Sequence, residues 1–387
     1  MSHAERASIM LSAGEASGDL HGATLCGALG ALSPELRLWG MGGARMAAAG
    51  MEVIADPTGE AVVGASEALG RIPELYRTYR ALLRRLKREP PRALVVIDFP
   101  EFNLRLARHA RRAGVPVVYF IPPQLWAWRR GRIRQMARRV SGVLAVLPFE
   151  QELYERAGVP VQFVGHPLLD VLPLDLTRAE ARRRLGLDPS ESVVGILPGS
   201  RREEVSHLLP PMLTAATRLR AAGAARRFVL GLAPTIDRAW VEERLKAGED
   251  AEAPRVDVWS GRAHEVMAGA DVALIASGTA TLEAALLGVP MVVCYRVSRV
   301  TEAVVRALAR VPWVSLPNIV AGRPIVPEIL QDEVTAQRLA TEALRLLEDP
   351  VSATAQRAAF KDLRARLGEP GVGRRAARAV LDAARLA

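Results

Sequence analysis

The chain carries "IMLSAGEASGD" at residues 9–19 and "VGILPGSRREE" at residues 194–204. Each is a short apolar run that breaks at a glycine and passes into a polar stretch of helical pattern. A strand feeding a tight turn and a helix has this form. One such opening stands near the start of each half, so two similar domains are expected. Around the first lie "LRLWG", "ALVVID", "VPVVYFI", "GVLAVLPF" and "VQFVG"; around the second lie "RFVLGLA", "VDVWSG", "DVALIAS" and "MVVCYR". Continuous apolar runs separated by amphipathic stretches indicate parallel strands covered by helices on both faces. The fold class is α/β: two Rossmann-like, doubly wound domains facing each other across a central cleft. The break is expected within "GHPLLDVLPLDLTRAEARRRLGL" (165–187), giving domains over 1–170 and 171–350. The tail beyond about residue 330 is helical in pattern.

Length and composition agree with that division. At 387 residues the chain exceeds one ordinary core, and half of it is hydrophobic. Cys26 and Cys294 lie far apart and form no ligand or redox spacing, which points to buried free thiols in a reducing compartment. The N-terminus lacks the basic start and apolar core of a signal peptide, and no run is long enough to span a membrane. A cytoplasmic protein is expected. Its charge is uneven: residues 105–139 hold ten arginines and no acid, just downstream of the basic "RIPELYRTYRALLRRLKREPPR". Nucleic acid, an anionic membrane surface or a phosphorylated substrate would each suit such a block, as would plain solvated helix faces.

In open parallel sheets, ligands gather beyond the carboxyl ends of the strands. After the first strand come Gly14, Glu15, Ser17, Gly18 and Asp19, which line the acceptor side of the cleft or form a tight turn capped by Ser17 or Asp19. The pattern is not G-x-G-x-x-G, so a dinucleotide is not indicated. Asp98 closes "ALVVID", where it is either a general base facing the cleft or the cap of the next helix. "YFIPPQLWAWRR" sets Gln124, Trp126 and Trp128 in a loop, as a face for a sugar or acyl chain or as core packing. Gly199, Ser200 and Arg201 form a turn suited to phosphate, without the ending of a Walker A loop. "ASGTATLE" brings Ser277, Gly278, Thr279 and Ala280 to a helix start, a place that favours anions. Glu283 then follows in an otherwise apolar run, and Ala280 stands where a capping box would need Ser or Thr. These two loops are expected to hold a diphosphate, with Glu283 on the hydroxyls of a ribose. No metal-ligand spacing is present, and neither metal nor cofactor is expected. His166 in "VGHP" falls at the expected hinge.

With those loops in place, the chain resembles the lipid-A-disaccharide synthases, inverting glycosyltransferases of the GT-B fold. "SAGEASGD", "IDFPEFN", "WAWR", "LPFE", "VGHP", "LPGSRREEV", "ASGTATLEAALLGVPMVVCYR" and "SLPNIVAGRPIVPE" follow in the family's order over almost the whole length. Two departures stand out: Pro122 where the family usually has Ser, and "AVVG" at 61–64 for a usual A-V-M-G. The resemblance implies transfer of 2,3-diacylglucosamine from UDP to the 6-hydroxyl of 2,3-diacylglucosamine 1-phosphate, giving a β-1,6 disaccharide phosphate and UDP. It implies Asp98 as general base, Arg201 and Ser277–Ala280 on the leaving diphosphate, Glu283 on the ribose, and Asn318 completing the donor site. Acylated substrates imply work at the anionic inner-membrane surface, with the arginines and the helix near 61–86 docking there and no nucleic-acid partner. In this fold the helices of 351–387 cross back to the first domain and leave room for a homodimer. A UDP-N-acetylglucosamine epimerase or another UDP-hexosamine transferase would share the donor loops. A basic binding module would instead depend on the arginines of 129–139 and tolerate changes at Asp98, Arg201 and Glu283.

Overall fold

A computed structural model describes residues 7–57, 72–123, 133–247, 254–297 and 312–386. The chain forms two units, Met1–Val171 with Leu367–Ala387, and Leu172–Arg366.

The first unit is built on β1 (Ser8–Ala13), β2 (Arg37–Met41), β3 (Glu52–Ala55), β4 (Ala93–Ile97), β5 (Val117–Phe120), β6 (Gly142–Ala145) and β7 (Val161–Phe163). They form one sheet in the order β3-β2-β1-β4-β5-β6-β7, every pair parallel. Because side chains alternate along a strand, both faces of such a sheet must be apolar. On one face Met10, Trp39, Leu94, Val96 and Tyr119 pack against Leu82, Leu86, Leu106 and Ala107 of the helices Ile72–Arg88 and Pro100–Arg112. Helices Ala16–Leu32 and Val372–Ala383 pack against each other, and the second of them also contacts β4, β5 and β6.

The second unit repeats the plan. Its strands are β8 (Val193–Leu197), β9 (Arg227–Leu232), β10 (Val256–Ser260), β11 (Val272–Ala276), β12 (Met291–Tyr295) and β13 (Glu328–Leu330). Their order is β10-β9-β8-β11-β12-β13, again all parallel. Val194, Ile196, Phe228, Leu230, Leu274 and Val292 meet Leu208, Met212 and Leu219 of the helix Arg202–Ala221 and Leu339 of the helix Ala336–Glu348. At the amino edge of this sheet, Asp271 accepts from the Arg182 guanidinium at 2.7 Å and the Val193 amide at 2.8 Å. That pair is structural, at the end away from the loops considered below.

Both sheets change winding direction once, between β1 and β4 in the first and between β8 and β11 in the second. At such a switch point the outgoing loops diverge, and doubly wound sheets receive ligands there. Of the tail expected to pack back from about residue 351, Pro350–Arg366 lies in the second unit. It is fixed there by Gln356, whose side chain bonds the Met291 amide and carbonyl. From Leu367 onward the chain belongs to the first unit.

Candidate active site

The switch point of the first unit brings together the loops after β1 and β4. Gly14 is needed there for close approach, since a Cβ on it would lie 2.2 Å from the Phe99 ring. Glu15 and Ser17 are exposed at the start of the helix Ala16–Leu32, and Gly18 is buried against Ala13. Asp19 departs from the expected acceptor role. It is buried, and its carboxylate accepts from the amides of Gly43 (2.8 Å), Met46 (3.0 Å) and Arg45 (3.2 Å). Those are the orphan donors at the start of the short helix Ala44–Ala48, so Asp19 acts as a cap for that helix.

Asp98 follows the last residue of β4. The helix Pro100–Arg112 takes Phe99 as its cap residue, which leaves Asp98 outside the helix and removes the capping alternative. Asp98 and Phe99 have φ of 47° and 45°, and Ile121 after β5 has φ of 57°. Left-handed conformation in non-glycine residues is costly and gathers at functional sites. Among the described residues three of the five such cases stand at these two strand ends. The Asp98 carbonyl accepts from the Tyr119 hydroxyl at 2.7 Å and from Asn103 Nδ2 at 2.8 Å. Burial holds the Asp98 carboxyl above its ordinary value, partly opposed by a hydrogen bond from the Phe99 amide. Such a shift brings a carboxylate toward the range in which it works as a base.

In the second unit, the loop after β8 holds Gly199, Ser200 and Arg201. Glu204 closes it from the first turn of the helix Arg202–Ala221: its carboxylate accepts from the amides of Ser200 (3.2 Å) and Arg201 (3.3 Å) and from the Arg201 guanidinium (3.1 Å). The turn therefore does not offer those two amides to an anion. What it presents outward is the Arg201 side chain, 73% exposed. The loop after β11 behaves otherwise. The helix Thr279–Leu286 starts at Gly278 with no side-chain cap and no acid in its first turn, and Gly278 and Thr279 are exposed. Its leading N–H groups are the expected orphans of a helix start. Ser277 Oγ donates to the Val314 carbonyl at 3.1 Å and so ties this loop to the next.

Glu283 lies beyond the first turn, and His264 Nε2 stands 3.2 Å from its carboxylate. Asn318, expected to complete the donor site, turns its side chain into its own segment. Its side chain is buried, donating to Val326 O and Glu328 Oε1 and accepting from the amides of Ile325 and Val326. It has no capacity left for a ligand and acts as the clasp of the segment 325–328. Glu328 completes that clasp by accepting from the amides of Val314 and Ser315.

His166 is buried and neutral near the end of the first unit, its pKa pushed down to about 3 by burial. Gln124, Trp126, Trp128, the 61–64 departure and arginines 129, 130 and 132 lie outside the described residues. The described residues hold no group of His, Cys, Asp and Glu arranged as metal ligands. Five residues carry this geometry although the sequence assigns them no role. Asn103, Glu204 and Glu328 lie inside the quoted stretches "IDFPEFN", "LPGSRREEV" and "SLPNIVAGRPIVPE", and Tyr119 and His264 lie outside all three. Of these, Glu204 shows a local reason for its role in the sequence, an acid three residues after a helix cap.

Comparison with known proteins gives a consistent picture. The family model for lipid-A-disaccharide synthetase matches residues 9–381. A lipid-A-disaccharide synthase from Geobacter metallireducens is 45% identical over 374 residues, covering 97% of this chain and 96% of the relative. Among solved structures, a UDP-N-acetylglucosamine 2-epimerase from Neisseria meningitidis, bound to UDP-N-acetylglucosamine, aligns with a TM-score of 0.64. It is 13% identical, covering 97% of this chain and 99% of that one. The calicheamicin glycosyltransferase aligns with a TM-score of 0.59 at 17% identity, covering 98% and 99%. At such identities the two structures speak to the fold, which is GT-B.

Proposed function

The chain belongs to the lipid-A-disaccharide synthetase family and is a glycosyltransferase; on that premise we propose how its residues divide the work. The donor is UDP-2,3-diacylglucosamine and the acceptor 2,3-diacylglucosamine 1-phosphate. Asp98 takes the proton of the acceptor 6-hydroxyl as its oxygen attacks the anomeric carbon. The bond from that carbon to the diphosphate breaks, the configuration inverts, and the disaccharide 1-phosphate and UDP leave. One base suffices and no covalent intermediate forms. Arg201 and the helix start at Thr279 stabilise the charge that grows on the diphosphate, while Glu283 binds the ribose. A helix start contributes about 0.3–1 kcal/mol when exposed, so Arg201 carries most of that load.

The observation that supports this division best is Asp98 itself. It is a carboxylate at a switch point, held in a left-handed backbone with its pKa raised by burial. The epimerase alternative has only the shared fold in its favour. The test is release of UDP from UDP-2,3-diacylglucosamine with and without acceptor, for the parent and for Asp98→Asn. Acceptor-dependent release that disappears in the variant is expected. Turnover of unacylated UDP-N-acetylglucosamine without acceptor would point to the epimerase.

Both substrates are acylated, so the enzyme works at an anionic membrane surface without spanning it. No helix among the described residues is long and apolar enough to cross one. The helix Ile72–Arg88 presents exposed Arg84, Lys87 and Arg88, and Tyr76 on it is 58% exposed. Each well-placed cation adds about 1 kcal/mol of attraction to anionic lipid. Sedimentation with vesicles rich in phosphatidylglycerol at low salt, lost at high salt or with phosphatidylcholine alone, is the expected result.

A further inference from the structure

Two consecutive residues that are not glycine, Asp98 and Phe99, stand in left-handed backbone at φ of 47° and 45°. A strand end does not adopt this unaided, because the Cβ of each residue crowds its own backbone. Something must hold it. In a parallel sheet the last carbonyl of a strand ordinarily finds an amide on its neighbour, but here the chain has already turned away.

Side chains do the holding. Asn103, fully buried on the first turn of the helix Pro100–Arg112, shares the two hydrogens of Nδ2 among the carbonyls of Asp98 (2.8 Å), Ile97 (3.1 Å) and Ser12 (3.2 Å). Its Oδ1 accepts from the Ser12 hydroxyl at 2.6 Å. From the other side Tyr119 on β5, also fully buried, donates its hydroxyl to the Asp98 carbonyl at 2.7 Å. Both grip the same carbonyl. The Phe99 ring, thrown across the switch point by this conformation, lies against Gly14 and stacks on Phe102 at 5.6 Å. The polar groups thus connect β1, β4 and β5 at the one place where the backbone is strained.

We infer that Asn103 and Tyr119 are positioning residues: by gripping the Asp98 carbonyl they hold the Asp98–Phe99 pair left-handed and so aim the Asp98 carboxylate. This rests on Asp98 being the base. A latch that served only to fasten the sheet would hold β1 to β4 equally well with an extended residue at 98. Two donors converging on the carbonyl of the strained residue serve its orientation.

Tyr119→Phe removes one hydroxyl and keeps the ring, so the core stays filled. The variant is expected to lose roughly tenfold in kcat, the scale on which one hydrogen bond changes a rate. KM for the UDP-sugar should stay within about twofold. The acid limb of kcat/KM against pH should move to lower pH, because a loosened Asp98 carboxyl gains contact with water and drops toward its ordinary value. The Tyr119 phenol cannot supply that limb itself, since burial holds it well above its ordinary value. Asn103→Ser should show the same shift with a larger loss of rate.

A Tyr119→Phe enzyme with a lowered melting temperature but parental kcat and acid limb would overturn the inference and make the pair a sheet latch. Should Asn103→Ser fail to fold, the Tyr119→Phe result decides alone. If Asp98→Asn keeps acceptor-dependent UDP release, the base assignment itself fails, whatever Tyr119→Phe does.

Discussion

Glu283 is a carboxylate just beyond the helix start that we propose holds the diphosphate, and its neighbour His264 explains how it is tolerated there. The imidazole stands 3.2 Å away and takes its charge from the pairing, so its pKa is raised above 6.5, chiefly by the hydrogen bond to Glu283. The direction fixes the pH dependence. A folded-state pKa above the unfolded one gives stabilisation that is complete below about pH 6.5 and is lost as pH rises through the folded value. His264 is 38% exposed and Glu283 20%, so solvent screening keeps the contribution within about 0.2–1 kcal/mol. Thermal midpoints of the parent and His264→Ala, compared from about pH 5.5 to about pH 9, should differ most at the acid end and converge at the alkaline end. A gap that is constant across the range would mean the imidazole acts only by packing. Neither residue of the pair announces the other in sequence, because one opens the helix Ala263–Gly269 and the other lies on Thr279–Leu286.

At the scale of elements, the turns after β8 and β11 use glycine for different physical reasons. Gly199 has φ of 119°, and a Cβ there would lie 2.6 Å from Glu204 Oε2, the carboxylate that closes the turn. Gly278 has φ of 163°, which is extended backbone, and a Cβ there would meet nothing within 4 Å. Gly199→Ala should therefore destabilise by about 1–3 kcal/mol and disorder the turn that presents Arg201. Gly278→Ala should leave the melting temperature unchanged yet weaken UDP binding, because a methyl group would stand where a phosphate approaches the helix start. Calorimetric melting and UDP titration of both variants separate the cases; a Gly278→Ala protein with parental UDP affinity would remove the helix start from the donor site. The same elements show what was legible beforehand. The central strands were plain because burial on both faces writes an unbroken apolar run, as in "ALVVI" of β4. Strands β3 and β13, "EVIA" and "EIL", lie at sheet edges with one side in solvent and carry no such run. The placing of charged residues just past strand ends, such as Asp98 after β4 and Arg201 after β8, could be read off. The satisfied roles of Asp19 and Asn318 could not, since their partners are backbone amides whose positions only the fold supplies.

At the scale of the molecule, the chain leaves the first unit at Val171 and re-enters it at Leu367. The returning helix Val372–Ala383 buries Val372, Ala376, Ala377, Val380 and Leu381. Burial of a Val or Leu contributes about 1.5–3 kcal/mol each, so the three larger side chains together rival the 5–15 kcal/mol by which a typical domain is stable. Asp170, at the exit from the same unit, fixes the start of the helix by accepting from the amides of Gly371 (2.6 Å) and Gly373 (2.8 Å). The first unit thus depends on the far end of the sequence, and the second does not. Asp170→Ala should cost about 0.5–2 kcal/mol, the worth of a helix cap. Ending the chain at Arg366 should unfold the first unit and leave the second intact, since the core led by Val194, Phe228 and Leu339 is untouched. Limited proteolysis with mass-spectrometric mapping reads both: cuts in the shortened protein should fall throughout 8–171 while 172–366 survives as a resistant fragment. Equal resistance of both parts would show that the returning helix merely rests on the first unit and contributes little to its core.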